Sequence, residues 1–494
     1  MPKTNKVKGT PIPILRTTDG RRYELDEAAL KKILLAENVI DKNVVVISVA
    51  GDYRKGKSFL LGYFLRYLKY KYSTEEGASA DPASPSMAWM GKADEPLEGF
   101  SWKYGSKRHT LGIWVWSEVF ITNRDKEKVG IILLDTQGSF DTESSFKNSA
   151  TIFSLSTMMS SCQCYNVSKN IQENDIHNLQ FFTEYGKLVM GDNSGKTPFQ
   201  KLVFIVRDWQ FPHEASYGES GGRKILDERL KIRTGLPDEH EMVRKTIRNC
   251  FSDISCFLLP YPGDAITNPH YNGNVAGLAP DFQLHLGQLV PWVLGPKSLV
   301  VKEIGGIRMK ARDLYGFFSL YVKELGSEKV PDPHSLWATT AMAQNLAALS
   351  EAKDLYITLM MQRLYENGNR QTYIRPNELA EAHARCKDTA IDQFDKMKRM
   401  GGEAYTVKYK TILEEEIEKC LVQMKKINSK QAYPIWSKPA MYAGIVLSFY
   451  FLTGILSRIG SQKFFPELQY LIFKLSVLGI ITWSYNHYRD WGPR

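Results

Sequence analysis

Three short runs in the first half of the chain are apolar without a break: Val44 to Val49, Gly130 to Leu134 and Leu202 to Val206. A strand with one wet face alternates, whereas an unbroken run suits a strand covered on both faces. Helix-type stretches separate the three, which predicts a parallel α/β sheet. Beyond residue 335 the period changes. Leu346, Leu349, Tyr356 and Met360 recur at helical steps, as do Leu379, Cys386, Phe394 and Met397, and then Leu413, Ile417, Cys420, Leu421, Met424 and Ile427. These stripes predict three amphipathic helices packed as a bundle, with boundaries at Pro376 and Gly401-Gly402. GSEKVPDPH, Gly326 to His334, predicts a linker, because its two prolines disfavour a continuous helix. Ser73 to Gly99, rich in Ser, Ala and Pro, reads as a surface loop.

The most apolar part of the chain lies near its end. Pro439 to Ser457 has no formal charge over 19 residues and stands between Lys438 and Arg458. About 20 apolar residues cross a bilayer core, so this run predicts a membrane span. Leu468 to Tyr485 predicts a second, with Lys474 reaching towards the headgroups. The connector is too short for a domain, so the two form a hairpin. The expected order is a basic segment (1–22), an α/β domain (23–325), a linker (326–334), a three-helix bundle (335–430), spans at 439–457 and 468–485, and a short tail (486–494).

Charge sharpens this picture. The formal net charge is +10, and nine of the ten excess charges fall in residues 1 to 22 and 421 to 438. The second cluster, Lys425, Lys426, Lys430 and Lys438, adjoins the first span, which fits anionic headgroups better than a nucleic-acid groove. No nucleic-acid partner is expected. The positive-inside rule puts residues 1 to 438 and the tail in the cytosol, with Arg458 and Lys463 in the turn weakening that signal. Two buried helices of a soluble bundle are the alternative. The N-terminus has no apolar run that would read as a secretory signal. Six cysteines do not make a disulfide framework, and Cys162-x-Cys164 lacks a second pair at zinc spacing.

The candidate chemistry sits at the strand ends. VVVISVA leads into Gly51-Asp-Tyr-Arg-Lys-Gly56-Lys57-Ser58 and then into FLLGYFLRYL, a strand–loop–helix with the G-x-x-x-x-G-K-S spacing. Its backbone N–H groups would cradle phosphates, Lys57 would reach the β- and γ-phosphates, and Ser58 would ligate Mg²⁺. Gly191 to Thr197 is a decoy, one residue short and with no strand before it. GIILLD ends in Asp135-Thr136-Gln137-Gly138, where Asp135 takes the Walker-B position and Gly138 lets a backbone N–H approach the γ-phosphate. The third strand ends in Arg207-Asp208-Trp209, and the Asp208 carboxylate could accept from both N1–H and N2–H₂ of guanine; a surface ion pair is the other reading. Arg54 inside the loop could act as an arginine finger in cis, or be a solvated loop charge.

In order along the chain, GDYRKGKSFLL, GSKRHTLGIWVWSE, LLDTQG, FIVRDW and ISCFLLPYPG resemble the atlastins, dynamin-superfamily GTPases that fuse endoplasmic-reticulum tubules. The resemblance runs from about Ile14 to Tyr488. It implies Arg54 as the finger, with Lys55, Gly56, Lys57, Ser58 and Phe59 along the phosphates and neighbouring nucleotide atoms. It implies Thr110 as the switch I threonine near water and Mg²⁺, so that Ser58, Thr110 and Asp135 serve the metal. Gln137 and Gly138 would lie near the γ-phosphate, Arg207 and Asp208 at the base, and Ala265 and Asn268 over the guanine. Lys103 stands where the family often has arginine. GTP, GDP and Mg²⁺ follow as cofactors. Implied partners are a second copy, in cis and in trans, endoplasmic-reticulum lipids, and other hairpin membrane-shaping proteins.

The expected function is a membrane-anchored GTPase that tethers and fuses endoplasmic-reticulum membranes. A hairpin wedge with a regulatory nucleotide domain and a soluble guanylate-binding-type GTPase are the alternatives. YNHYRDWGPR, Tyr485 to Arg494, is shorter than the family's amphipathic helix, which predicts good tethering and fusion that is weak or dependent on lipids that already pack poorly.

Overall fold

The computed structural model describes residues 9–18, 22–53, 55–72, 87–102, 112–124, 127–138, 146–179, 197–232, 235, 237–325, 333–366, 370–371, 374–397, 399–430, 444, 447–448, 451, 470–471 and 473–483. It divides into a front unit, residues 1–350 with 397–409, and a helical unit, residues 351–396 with 410–494.

The front unit is built on one sheet. Its first elements are β1 (Pro11–Thr18), β2 (Arg22–Leu25), helix α1 (Glu27–Leu34), β3 (Asn43–Gly51) and α2 (Lys57–Tyr72). Next come β4 (Ile113–Trp116), β5 (Phe120–Arg124), β6 (Glu127–Thr136), α3 (Phe146–Met159), β7 (Cys162–Ser168), α4 (Glu173–His177) and β8 (Phe199–Arg207). They are followed by α5 (Glu219–Arg229), α6 (Asp238–Cys250), β9 (Phe251–Leu258) and α7 (Pro280–Leu294). A small ribbon, β10 (Glu303–Ile304) with β11 (Ile307–Arg308), leads into α8 (Ala311–Leu325). The spatial order is β2-β1-β4-β6-β3-β7-β8-β9, with β5 hairpinned onto β6.

The five strands from β6 to β9 are parallel, and the three predicted runs lie inside β6, β3 and β8. The sheet as a whole is mixed, the expected parallel strands being extended by antiparallel ones. β4 runs antiparallel to β6, and β1 antiparallel to β4. β1 also places a strand inside the stretch expected to be only a basic lead-in. Its sequence alternates Pro, Ile, Pro, Ile, and proline is tolerated near a sheet edge, where missing N–H groups cost less. β7 and β9 escaped the pattern because Gln163, Asn166 and Ser255 interrupt their apolar runs.

Helix α2 is apolar almost all round because it lies between the sheet and α7. Trp89 and Met90, in a 3-10 turn, are buried, with the Trp89 ring 5.4 Å from Tyr67 in an edge-to-face pair. This part of the expected surface loop is therefore core. No disulfide links the six buried cysteines.

The end of the sheet away from the phosphate loop holds a buried lysine. The Lys302 amide donates to the Val44 carbonyl at the start of β3, and its Nζ donates to the Ser160 carbonyl at 2.9 Å. Burial pushes its pKa down to about 7. An unfolded lysine titrates near about 10.4, so between about pH 7 and 10 the unfolded chain holds the extra proton and stability rises with pH. Lys302→Met should therefore unfold at a higher temperature than the parent at pH 7, and that gap should shrink at pH 9. Thermal unfolding at both pH values measures it; a gap that is absent or independent of pH contradicts the assignment.

The remaining helices are α9 (Pro333–Leu364), α10 (Pro376–Lys396) and α11 (Gly402–Lys430), with a ribbon of β12 (Tyr365–Glu366) and β13 (Arg370–Gln371) between the first two. α9 and α11 run through both units. Within the helical unit Tyr356, Met360, Cys386, Phe394, Leu413, Ile417 and Met424 are buried as their spacing predicts. Lys353 pairs with Glu416 at 2.6 Å, Lys387 with Glu418 at 2.8 Å, and the Tyr356 hydroxyl meets His383 Nδ1 at 2.9 Å. Leu346 departs from its predicted seam and is 40% exposed. The inward face of α9 carries Gln344 and Asn345 instead, and their amides donate to the Ile304 and Met400 carbonyls.

Residues 326–332 and most of both expected spans lie outside the described residues. Among the described residues no helix is long and apolar enough to cross a membrane.

Candidate functional site

The loop between β3 and α2 turns at Gly56, whose φ is +72°. A side chain there would be strained and would also sit 2.0 Å from Arg207 Nη1, so glycine is required twice over. Lys57 opens α2 and folds back over the loop, Nζ donating to the carbonyls of Gly51 at 3.1 Å and Asp52 at 2.8 Å. Burial lowers its pKa to about 8, against the opposing pull of the Asp135 and Asp52 carboxylates. A phosphate in the cradle would favour the charged form.

Parallel pairing of β3 with β6 sets Val49 beside Asp135. The Ser58 hydroxyl donates to Asp135 Oδ2 at 2.6 Å. A hydroxyl and a carboxylate side by side are hard oxygen donors, the type Mg²⁺ takes while keeping water and phosphate as its other ligands. Among the described residues no group of three or more His, Cys, Asp or Glu could hold a metal. Thr136 Oγ1 donates to the Val49 carbonyl, tightening the same strand ends.

Gln137 and Gly138 follow. Gln137 is buried, and its Oε1 accepts from the Gly112 amide at 3.0 Å while its own amide donates to the Gly112 carbonyl at 2.8 Å. It therefore ties this loop to Gly112, at the start of the segment that leads into β4, a partner its sequence position did not suggest. A side chain on Gly138 would lie 2.5 Å from the Tyr53 Cα, so the D-x-x-G loop rests directly on the phosphate loop.

β8 delivers Arg207 and Asp208 to the same rim. Arg207, expected at the base, is buried and turned inward, where its guanidinium donates to the Lys55 carbonyl. Asn166, at the end of β7, donates to the same carbonyl at 2.8 Å. Sequence reasoning missed Asn166; a polar side chain near the tip of a buried strand was the available signal. Asp208 is one of two non-glycine residues described with positive φ, at +58°. Its Oδ1 is buried and has no hydrogen-bond partner. Trp209 anchors the turn, its amide on the Leu259 carbonyl and its indole Nε1 on the Ala215 carbonyl. A strained turn that holds an unsatisfied carboxylate oxygen marks a place for a ligand donor.

The loop after β9 carries Ala265 and Asn268, the two residues expected over the guanine. Ala265 lies in a single 3-10 turn, Asp264–Thr267, and Asn268 Oδ1 accepts from the His270 amide at 2.9 Å. Tyr63 holds this loop from α2 by donating to the Gly273 carbonyl at 2.9 Å. The ring of Phe59, a residue expected along the phosphates, is buried, 5.0 Å edge-on to Trp102, which meets Tyr271 of the loop in turn. Arg54, Lys103, Thr110 and residues 191–196 of the decoy lie outside the described residues.

The family described as Guanylate-binding protein, N-terminal domain, matches residues 20–303. The chain is 43% identical to Atlastin-1 of Rattus norvegicus over 484 residues, 97% of this chain and 84% of that protein. Over 491 residues it is 42% identical to Atlastin-2 of Homo sapiens, covering 98% of this chain and 81% of that one. Atlastin-2 of Xenopus laevis is 42% identical over 485 residues.

Proposed function

The chain belongs to the atlastin family and is a GTPase, and from that premise we propose that it couples GTP turnover to the tethering and fusion of endoplasmic-reticulum membranes. The observation that carries the guanine reading is Asp208, with a buried, unpartnered carboxylate oxygen on a strained turn beside the phosphate loop. Two guanine donors, N1–H and N2–H₂, suit that carboxylate, and the loop with Ala265 and Asn268 lies over the base. The loop amides and Lys57 hold the phosphates. Ser58 and Asp135, with Thr110, would hold Mg²⁺, which supplies charge neutralisation between the β- and γ-phosphates. Arg54 stabilises the charge that develops on the leaving phosphate.

The contacts also supply a route from nucleotide to motion. Gly138 rests on Tyr53, and Gln137 binds both backbone groups of Gly112. A γ-phosphate that draws in the Gly138 amide therefore pulls on the end of switch I as well. That coupling prepares the surface for a second copy, and the helical region then swings about residues 326–334 to bring two membranes together.

The anchor is the pair of runs at 439–457 and 468–485, with the bulk of the chain and both ends cytosolic. Supporting this, residues 473–483 are helical and Phe473, Leu475, Leu478 and Ile481 are exposed, an arrangement that water disfavours and lipid accepts. Reconstitution into liposomes tests the reading, with tethering and content mixing scored separately under GTP, GDP and a non-hydrolysable analogue. Mixing should require GTP, and the analogue should support tethering at most. Tubulation without any mixing would identify a hairpin wedge instead.

A further inference from the structure

Two histidines that the nucleotide site does not use face each other on the flank of the front unit. His177 ends α4 and His240 lies in the first turn of α6, with their Nε2 atoms 3.3 Å apart and their rings nearly perpendicular. His240 is oriented from behind. Its Nδ1 lies 2.8 Å from Glu173 Oε1, and the guanidinium of Arg244 donates to both oxygens of that carboxylate, at 2.8 and 2.6 Å. Arg244 is itself fixed, its Nε on the Arg229 carbonyl and one Nη on the His240 carbonyl. A carboxylate on Nδ1 keeps the proton there, so Nε2 of His240 presents a lone pair.

In the metal-free chain the two Nε2 atoms share a hydrogen bond, with His177 as donor in the tautomer that the Glu173 carboxylate favours for His240. The same separation suits another occupant. Tetrahedral zinc binds imidazole nitrogen at about 2.0–2.1 Å, which sets two such nitrogens about 3.3–3.4 Å apart. A carboxylate behind the far ring nitrogen is the usual outer partner of a zinc-bound histidine, fixing its tautomer and raising its basicity. The His240 side chain is 27% exposed, so water and ions reach the pair. Among the described residues no group of three or more His, Cys, Asp or Glu could hold a metal, so the site is limited to these two imidazoles.

We propose that His177 and His240 form a two-histidine site for a borderline divalent transition ion such as Zn²⁺, joining α4 to α6. On binding, the hydrogen bond between the rings is replaced by two metal–nitrogen bonds. The proton on His177 Nε2 moves to Nδ1 by exchange with solvent, so that both imidazoles bind as neutral ligands through Nε2.

The test uses the full chain in detergent, stripped with a chelator and kept in Mg²⁺, with zinc titrated against a chromogenic competitor. The parent should bind zinc at least tenfold more tightly than either His177→Gln or His240→Gln, and zinc should raise the unfolding temperature of the parent only. Glu173→Gln should weaken zinc binding by roughly 10- to 100-fold while both ligands remain. Copper(II) paramagnetic resonance on the parent needs no variant and should show two imidazole nitrogens in the coordination plane. Equal zinc affinity in the parent and the double glutamine variant overturns the site. So does a copper spectrum with fewer than two nitrogens, which would leave the pair as a hydrogen bond only.

Discussion

Arg54→Ala is expected to slow GTP hydrolysis by about a thousandfold or more while leaving GTP affinity nearly unchanged. An arginine in cis acts on charge that builds up only as the phosphate leaves, a contribution of about 10³ to 10⁵ in rate. Ground-state binding rests on other groups: the loop amides, Lys57 and Ser58. The residues on either side of Arg54 are both held. Tyr53 lies against Gly138, and the Lys55 carbonyl takes hydrogen bonds from Asn166 and Arg207. Removing one side chain between two fixed neighbours should leave the loop standing. Single-turnover hydrolysis, measured beside equilibrium binding of a fluorescent GTP analogue, separates the two effects. Parental turnover in the variant would return Arg54 to the status of a solvated loop charge.

The second large effect is a change of base. In Asp208→Asn one acceptor becomes an N–H₂ donor that faces the donors of guanine. Losing a hydrogen bond to a charged group and leaving donors opposed is worth about 3 kcal/mol, or roughly a hundredfold in GTP affinity. Xanthosine triphosphate carries an oxygen where guanine has its amino group, so it should gain affinity in the variant. Asparagine suits the test because it adopts the left-handed backbone of this position about as readily as aspartate does. A bulkier residue would confound base recognition with backbone strain. Unchanged GTP affinity in Asp208→Asn would remove this side chain from the base.

Much of the front unit was legible because its central strands are covered on both faces and read as unbroken apolar runs. What stayed hidden was set by tertiary pairing. β1 looks like a basic lead-in until β4 offers it an edge, and β7 looks too polar until its Asn166 finds the Lys55 carbonyl. The strand–loop–helix around Gly51 to Ser58 was legible because it is local in sequence, whereas Asp135 comes beside it only through the pairing of β3 with β6. The protein partners of Arg207 and Gln137 were not legible, since Lys55 and Gly112 are distant in sequence and adjacent only once the sheet forms. Phe59 follows the same rule. Its ring packs in an aromatic cluster with Tyr63 and Trp102 that the local motif does not announce.

The helical part shows how far periodicity carries. Most of the predicted seam is buried, but α9 turns Gln344 and Asn345 inward because both find backbone carbonyls, and Leu346 is left facing out. A hydrophobic stripe assigns a face only where no polar side chain has a better partner beneath it.

The central claim is that nucleotide turnover at this site drives membrane merger, and the altered base specificity of Asp208→Asn tests it most directly. Two populations of liposomes carrying the variant should be mixed with either GTP or xanthosine triphosphate and followed by content mixing. Mixing with xanthosine triphosphate and little with GTP is the predicted result. Mixing that proceeds equally with either nucleotide, or with none, would contradict the account.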